Sequence, residues 1–322
     1  MSALLDQFLT VFEAVAQIGL VVLFASWLVR RKIIPASGVK LISDTVITVF
    51  LPCLIFSNIV GRFEPSEFSY WWALPLTATL ITLSGWGIAV PLFARLGPEK
   101  RELKPVAFLQ NAGYFVLPIG QMMLGEAFDQ FALYVFLYIL ANNPLLWLIG
   151  KHYLRKRKAD EAFQWNHILS PPIYANIIAL FLVATGTRAY LPDVVLNTAT
   201  FLGEGAVPLG IFALGATLGT LDINLRRYLR PGSLVVLQKL FIMPAVVLGA
   251  MALIPWMRSD PLLVLLFALQ GASPPATSLI LQSKSYSDDS ERVGTVAIMC
   301  YLVCMISIPL WVAFANALFA GP

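Results

Sequence analysis

Apolar positions in this chain come in long unbroken blocks separated by short polar segments, without the alternation of a half-buried strand. Ten such blocks can be read, near 8–28, 40–60, 70–94, 105–124, 130–150, 168–187, 194–219, 233–256, 261–283 and 293–319. Blocks of about 20 apolar residues match the hydrocarbon thickness of a bilayer, whereas a barrel strand needs only about 10, with alternating character. Only a helix satisfies its own backbone over such a length in lipid. The pattern predicts an all-α polytopic membrane protein with ten transmembrane helices, here called spans 1 to 10.

The polar segments orient these spans. Arg30, Arg31, Lys32 and Lys40 follow span 1; Arg95, Lys100, Arg101 and Lys104 follow span 3; Lys151, Arg155, Lys156, Arg157 and Lys158 follow span 5. Arg226, Arg227 and Arg230 follow span 7, and Lys284 and Arg292 follow span 9. The intervening loops hold Arg62, Arg188 and Arg258, and Lys239 falls inside span 8. Basic loops stay cytoplasmic, so the alternation expects a multi-pass protein of the cell inner membrane with both termini on the periplasmic or extracellular side. The N-terminal block lacks a basic lead-in, is interrupted by Glu13 and is followed by Arg30-Arg31-Lys32, which suits a retained first span better than a cleaved leader. The longest polar segment, around 151–167, reads as a hinge between halves.

Composition agrees: 58% of residues are hydrophobic, 12% are charged, and mean hydropathy is +0.78, which leaves too little polar surface for a soluble domain. The net charge of +4 does not point to nucleic acid, because the basic residues sit in loops between spans. Cys53, Cys300 and Cys304 lie inside apolar blocks and read as packing residues. His152 and His167 are the only histidines, both in the central segment, and support no metal site. No catalytic motif is present, so no enzyme activity and no cofactor are expected; Tyr70, Trp71 and Trp72 read as an interfacial aromatic belt.

An internal repeat carries the functional signal. Leu109-Gln110-Asn111-Ala112 in span 4 and Leu269-Gln270-Gly271-Ala272 in span 9 lie 160 residues apart. Each is accompanied by helix breakers: Gly113, Pro118 and Gly120 in one, Gly271, Pro274 and Pro275 in the other, with Pro52 and Pro208 a weaker pair. Five spans per half is an odd number, so halves 1–155 and 156–322 would enter the membrane in opposite senses. Inverted repeats with interrupted spans at matching positions point to a transporter with its site at the midplane. Proline frees backbone groups that lipid cannot satisfy, and two facing breaks would bring positive half-helix N-termini together, suited to an anion.

The run Leu109-Gln110-Asn111-Ala112-Gly113-Tyr114-Phe115-Val116-Leu117-Pro118-Ile119 resembles the span-4 signature of the auxin efflux carrier family, in which an Asn precedes the crossover Pro by seven residues. Ser170-Pro171-Pro172-Ile173, Val207-Pro208 through Ile211-Phe212-Ala213-Leu214-Gly215, and Ser273-Pro274-Pro275-Ala276-Thr277 are similar to other family segments, in the same order. The resemblance implies a sodium/proton-antiporter-like (bile-acid-symporter-like) fold, with a five-plus-five inverted repeat and crossed broken helices 4 and 9. Spans 1, 2, 6 and 7 would form a scaffold able to dimerise, and spans 3, 4, 5, 8, 9 and 10 a mobile transport domain working as an elevator. It implies small organic anions as substrates, such as malonate, other carboxylates or auxin-like acids. The chain lacks the long central loop of the large plant carriers and resembles a compact bacterial member.

The expected substrate-binding set is Gln110, Asn111, Gly113, Tyr114 and Pro118 in span 4, Asn142 and Asn143 in span 5, and Gln270, Gly271, Ser273, Pro274, Pro275 and Thr277 in span 9. Ile55 stands where plant carriers place a serine after the span-2 proline, with Ser57 and Asn58 close by. Charge inside spans is expensive, which makes Lys239, Glu13 and Asp44 candidates for coupling; Asp44 equally suits a helix end, Glu13 scaffold packing, and Lys239 snorkelling. Glu204 is expected near the membrane edge of span 7. The competing readings are a sodium-coupled symporter of bile-acid-like anions and a non-transporting membrane sensor.

Overall fold

The structure, a computed structural model, describes residues 2–94, 97, 100–154, 170–287 and 290–319. The segment 155–169, which holds the expected boundary between halves and His167, lies outside the described residues, as does Arg95. The first half comprises α1 (Ser2–Arg30), α2 (Ala36–Thr45), α3 (Leu51–Arg62), α4 (Ala73–Leu92), α5 (Leu103–Phe108), α6 (Val116–Leu124) and α7 (Phe128–Leu154). The second comprises α8 (Pro171–Ala184), α9 (Asp193–Gly203), α10 (Ala206–Gly219), α11 (Leu225–Leu237), α12 (Met243–Leu253), α13 (Pro261–Ala272), α14 (Thr277–Tyr286) and α15 (Ser290–Phe319). Among the described residues the chain is helical throughout, and its one β-type contact is a single antiparallel bridge, Gln110 to Pro275.

The protein is a multi-pass membrane protein. Seven helical stretches among the described residues are long and apolar enough to cross a bilayer, and α8 and α13 are shorter apolar helices. Leu20, Leu23, Phe24, Phe181, Phe201, Leu302 and Ile306 lie exposed on its outside, an apolar surface suited to lipid rather than water. Several expected blocks hold short helices because breakers divide them. Residues 109–115 separate α5 from α6, and 273–276 separate α13 from α14.

Two further prolines leave a milder mark. Pro52 and Pro244 each stand two residues after a π turn, Val46–Phe50 between α2 and α3 and Gln238–Ile242 between α11 and α12. A helical proline offers no N–H and its ring collides with a carbonyl one turn back; a widened turn relieves the collision and leaves carbonyls in search of donors. In the second π turn the Trp311 indole N–H donates to the Leu240 carbonyl at 2.8 Å, and the Gln238 amide ties the same turn to the Gly85 carbonyl at 2.7 Å.

Packing follows the small residues. α1 lies against α10 and α15, α3 against α8 and α9, α4 against α7, and α13 against α12 and α15. The α1–α10 contact is the tightest kind: a Cβ on Gly215 would stand 2.5 Å from the Val22 carbonyl oxygen, and one on Gly219 2.8 Å from the Ser26 backbone. This Gly-x-x-x-Gly step lets the backbones meet, and the Ser26 hydroxyl donates across it to the Gly215 carbonyl at 2.8 Å. Gly215→Val should push the helices apart at a cost of about 1–3 kcal/mol, typical of overpacking. The check is the melting temperature of the detergent-purified protein, expected to fall by several degrees; an unchanged value would count against this contact.

Candidate functional site at the helix crossing

The two broken spans meet as crossed extended strands. α5 ends at Phe108 and α13 at Ala272, after which residues 109–111 and 273–276 run extended, with a turn over 112–115 leading into α6. Pro274 and Pro275 cannot donate and so contribute carbonyls alone. The donors come from elsewhere: the Asn111 N–H to the Pro274 carbonyl at 2.9 Å, and the Ala276 N–H to the Leu109 carbonyl at 3.1 Å. Side chains satisfy three further acceptors. The Gln270 amide donates to the Ala112 carbonyl at 3.1 Å, the Tyr301 hydroxyl to the Pro275 carbonyl at 2.9 Å, and the Lys239 ammonium approaches the Phe108 carbonyl at 3.4 Å. Irregular backbone persists at membrane depth only where protein supplies partners in this way.

Asn111 is the junction of the crossing. Besides its backbone bond, its amide nitrogen donates to the Thr277 hydroxyl at 3.0 Å and to the Tyr301 hydroxyl at 2.8 Å. The two hydroxyls are 3.2 Å apart, so the start of α14, the middle of α15 and the span-4 break share one polar network. The Gln110 amide nitrogen donates to the Tyr138 hydroxyl of α7 at 2.5 Å, which fixes the neighbouring residue against the other wall.

A cavity of about 70 Å³ opens beside this network. The crossing supplies Gln110, Asn111, Ala112, Gly113, Tyr114, Leu117 and Pro118, together with Ala276, Thr277 and Ser278. α7 contributes Ile139, Asn142, Asn143 and Leu146, and the opposite wall comes from Leu51 of α3 and Ala206, Val207 and Gly210 of α10. None of these side chains carries a charge; the polarity comes from amides, hydroxyls and the N-terminal ends of α6 and α14. The space is narrow. Gly210 marks the pinch, since a Cβ there would stand 3.0 Å from the Tyr114 ring.

Two further cavities continue this one in opposite directions. On one side lies a space of about 440 Å³ between α3, α6, α7 and α9, sharing Val207 with the central cavity. On the other lies one of about 40 Å³ beside α2 and α10, sharing Tyr114, Gly210, Thr277 and Ser278. The wide side bears the ion pair Arg62–Asp129, and the Asn58 amide donates to the Asp129 carbonyl at 3.1 Å.

Of the residues singled out from the sequence, Gln110, Asn111, Gly113, Tyr114, Pro118, Asn142, Asn143 and Thr277 line the central cavity. Gln270, Gly271, Ser273, Pro274 and Pro275 lie behind it within the crossing, where Gln270 and Ser273 are fully buried. Ile55 is also fully buried, and Ser57 and Asn58 face the wide cavity instead of the centre. Glu13 and Asp44 are exposed on α1 and α2, away from the site. Glu204 sits in the turn between α9 and α10, on the wide cavity. That turn is placed by Gly203, where a Cβ would stand 2.8 Å from the Leu54 backbone. Sequence reasoning missed Tyr301, Tyr138 and Ser278. The first two carried a usable signal, because a tyrosine deep in an apolar block, far from an interfacial belt, needs a buried partner for its hydroxyl.

Comparison with known proteins places these features in a family. The family model described as Membrane transport protein matches residues 10–164 and 155–312, nearly the whole chain. The chain is similar to Uncharacterized transporter MJ1031 of Methanocaldococcus jannaschii, 26% identical over 185 residues, covering 56% of this chain and 59% of that protein. It is 20% identical to Protein PIN-LIKES 7 of Arabidopsis thaliana over 87% of this chain and 90% of that protein. A 54-residue stretch is 39% identical to Protein PIN-LIKES 6 of the same plant, covering 17% of this chain and 12% of that protein.

Proposed function

Because the chain belongs to the auxin efflux carrier family of membrane transport proteins, which are transporters and not enzymes, we propose that it carries small organic anions across the cytoplasmic membrane by alternating access at the helix crossing. The observation that carries this reading is the central cavity. It is bounded on one side by the crossing and on the other by α3 and α10, and lined by amides and two half-helix N-termini with no acidic side chain. Such a lining favours a carboxylate, which accepts from amides and hydroxyls and is drawn to the positive ends of helices.

In this reading the chain makes ten spans as a five-plus-five inverted repeat with both termini outside. α1, α2, α3, α8, α9 and α10 form a scaffold that can pair with a second copy, and the remaining helices form the moving body. The unequal cavities on the two sides of the centre support a carrier resting with its wide side open. Malonate, other carboxylates and auxin-like acids are the expected guests.

The test is a thermal-shift screen of the purified protein with mono- and dicarboxylates, malonate and indole-3-acetate among them, followed by uptake into proteoliposomes. A guest bound by the folded state alone at about 100 times its Kd adds about 2.7 kcal/mol of stability. Failure of every carboxylate both to stabilise the protein and to enter vesicles would end the proposal. Stabilisation without entry would identify a sensor instead.

A further inference from the structure

Lys239 is 1% exposed in the middle of an apolar helix pair, and among the described residues it forms no ion pair. Among the described residues its one hydrogen-bond partner is the Phe108 carbonyl, the last of α5, at 3.4 Å, and the Cys300 thiol lies near enough to interact with its charge. A lone ammonium inside a membrane protein is costly and rarely retained without a role. The carbonyl end of a half-helix offsets part of that cost, because the helix dipole is negative there. The placement is also held: the residue sits in the π turn pinned by the bonds from Gln238 to Gly85 and from Trp311 to Leu240. That turn packs against α5, α13 and α15, the elements of the crossing, so the charge moves wherever the crossing moves.

The central cavity is lined by no charged side chain, yet Asn111 is only three residues beyond Phe108. Three residues span at most about 11 Å of chain. With the 3.4 Å from the ammonium to the Phe108 carbonyl added, the charge lies at most about 15 Å from Asn111, and there, at an effective dielectric of about 20, it tightens binding of a monoanion about sixfold.

We propose that Lys239 is the fixed counter-charge of the carrier: it selects for anions without touching them, and it offsets the charge of a bound monoanion within the buried interior of the moving body. This rests on the anion-carrier reading above. Its consequence is a division of the transport cycle. The loaded site crosses with its buried charges cancelled, so one-for-one exchange of a monoanion ignores membrane potential. The empty body returns with one positive charge, so net flux depends on potential through that return. A dianion such as malonate leaves one negative charge uncompensated, and its exchange follows potential.

The experiment uses full-length protein in proteoliposomes with the potential clamped by potassium and valinomycin. Exchange of labelled for unlabelled indole-3-acetate is expected to be unaffected by potential in the wild type and to become potential-dependent in Lys239→Met. Indole-3-acetate should bind Lys239→Met about sixfold more weakly, the neutral indole-3-acetamide should bind both proteins equally, and Lys239→Arg should behave as wild type. Potential-dependent exchange of the monoanion by the wild type overturns the proposal. So does an equal loss of acid and amide binding in Lys239→Met, the result expected of a mere brace for α5. If Lys239→Met does not fold, the wild-type exchange decides alone. If the wild type binds no carboxylate, the anion-carrier reading falls and this inference falls with it, an outcome distinct from normal binding that Lys239→Met leaves unchanged.

Discussion

Replacing Asn111 by alanine should abolish uptake in proteoliposomes while leaving a folded, monodisperse protein. The crossing itself survives, because the bond from residue 111 to the Pro274 carbonyl is made by the backbone and alanine keeps it. What disappears is the amide that ties the start of α14 to α15 through Thr277 and Tyr301. The Tyr301 hydroxyl still donates to Pro275 and the two hydroxyls still reach each other, so few buried groups lose their last partner. The stability cost should therefore sit near the low end of the range for a deleted buried hydrogen bond, about 1–2 kcal/mol. Transport has no such reserve. Asn111 holds Thr277 of the cavity wall against Tyr301, and a displacement of about 1 Å at a positioned site costs about a hundredfold in rate. Asn142→Ala, on the α7 wall, should reduce uptake less. Uptake by Asn111→Ala at the wild-type rate, with a normal melting temperature, would remove Asn111 from the site.

How much of this was legible beforehand depends on whether the information was local. Long apolar blocks announce membrane helices because lipid thickness fixes their length. The breakers at Gly113, Pro118, Pro274 and Pro275 announce the crossing, because a proline changes backbone accounting wherever it stands. Both features survive in the structure as the paired segments around Gln110 and Pro275. What stayed hidden was which side chains answer the freed backbone groups. Gln270 reads as a ligand in the sequence, and in the structure its amide donates to the Ala112 carbonyl, 158 positions away. Tyr301, 190 positions from Asn111, completes the network. Neither pairing has a periodicity to read, since side-chain direction at a broken helix follows no 3.6-residue rule. The surroundings of Glu204 stayed hidden for a related reason: its place depends on how closely Gly203 lets α9 approach α3, and that is a property of two helices, not one.

Covalently joining residues 62 and 129 should stop transport entirely and reversibly. Arg62 ends α3 and Asp129 begins α7, helices assigned to the scaffold and the moving body respectively. Their ion pair, with the bond from Asn58 to the Asp129 carbonyl, is a polar tie between the two at the rim of the wide cavity. Both side chains are substantially exposed, 56% and 37%, so the pair is worth at most about 1 kcal/mol and yields easily to a moving body. Asp129→Ala should accordingly change uptake only modestly. A covalent bridge cannot yield. With Cys53, Cys300 and Cys304 replaced, an Arg62→Cys, Asp129→Cys protein bridged by a short cleavable thiol cross-linker should be inactive, and reductant should restore its rate. The matching control joins Glu102 to Arg292, whose ion pair at 2.9 Å links the approach to α5 with α15 inside the moving body alone. That bridge should leave transport intact. If both bridged proteins carry substrate at the unbridged rate, α3 and α7 do not separate during the cycle, and the guest must pass by local opening around Tyr114 and Gly210 rather than by movement of one body past the other.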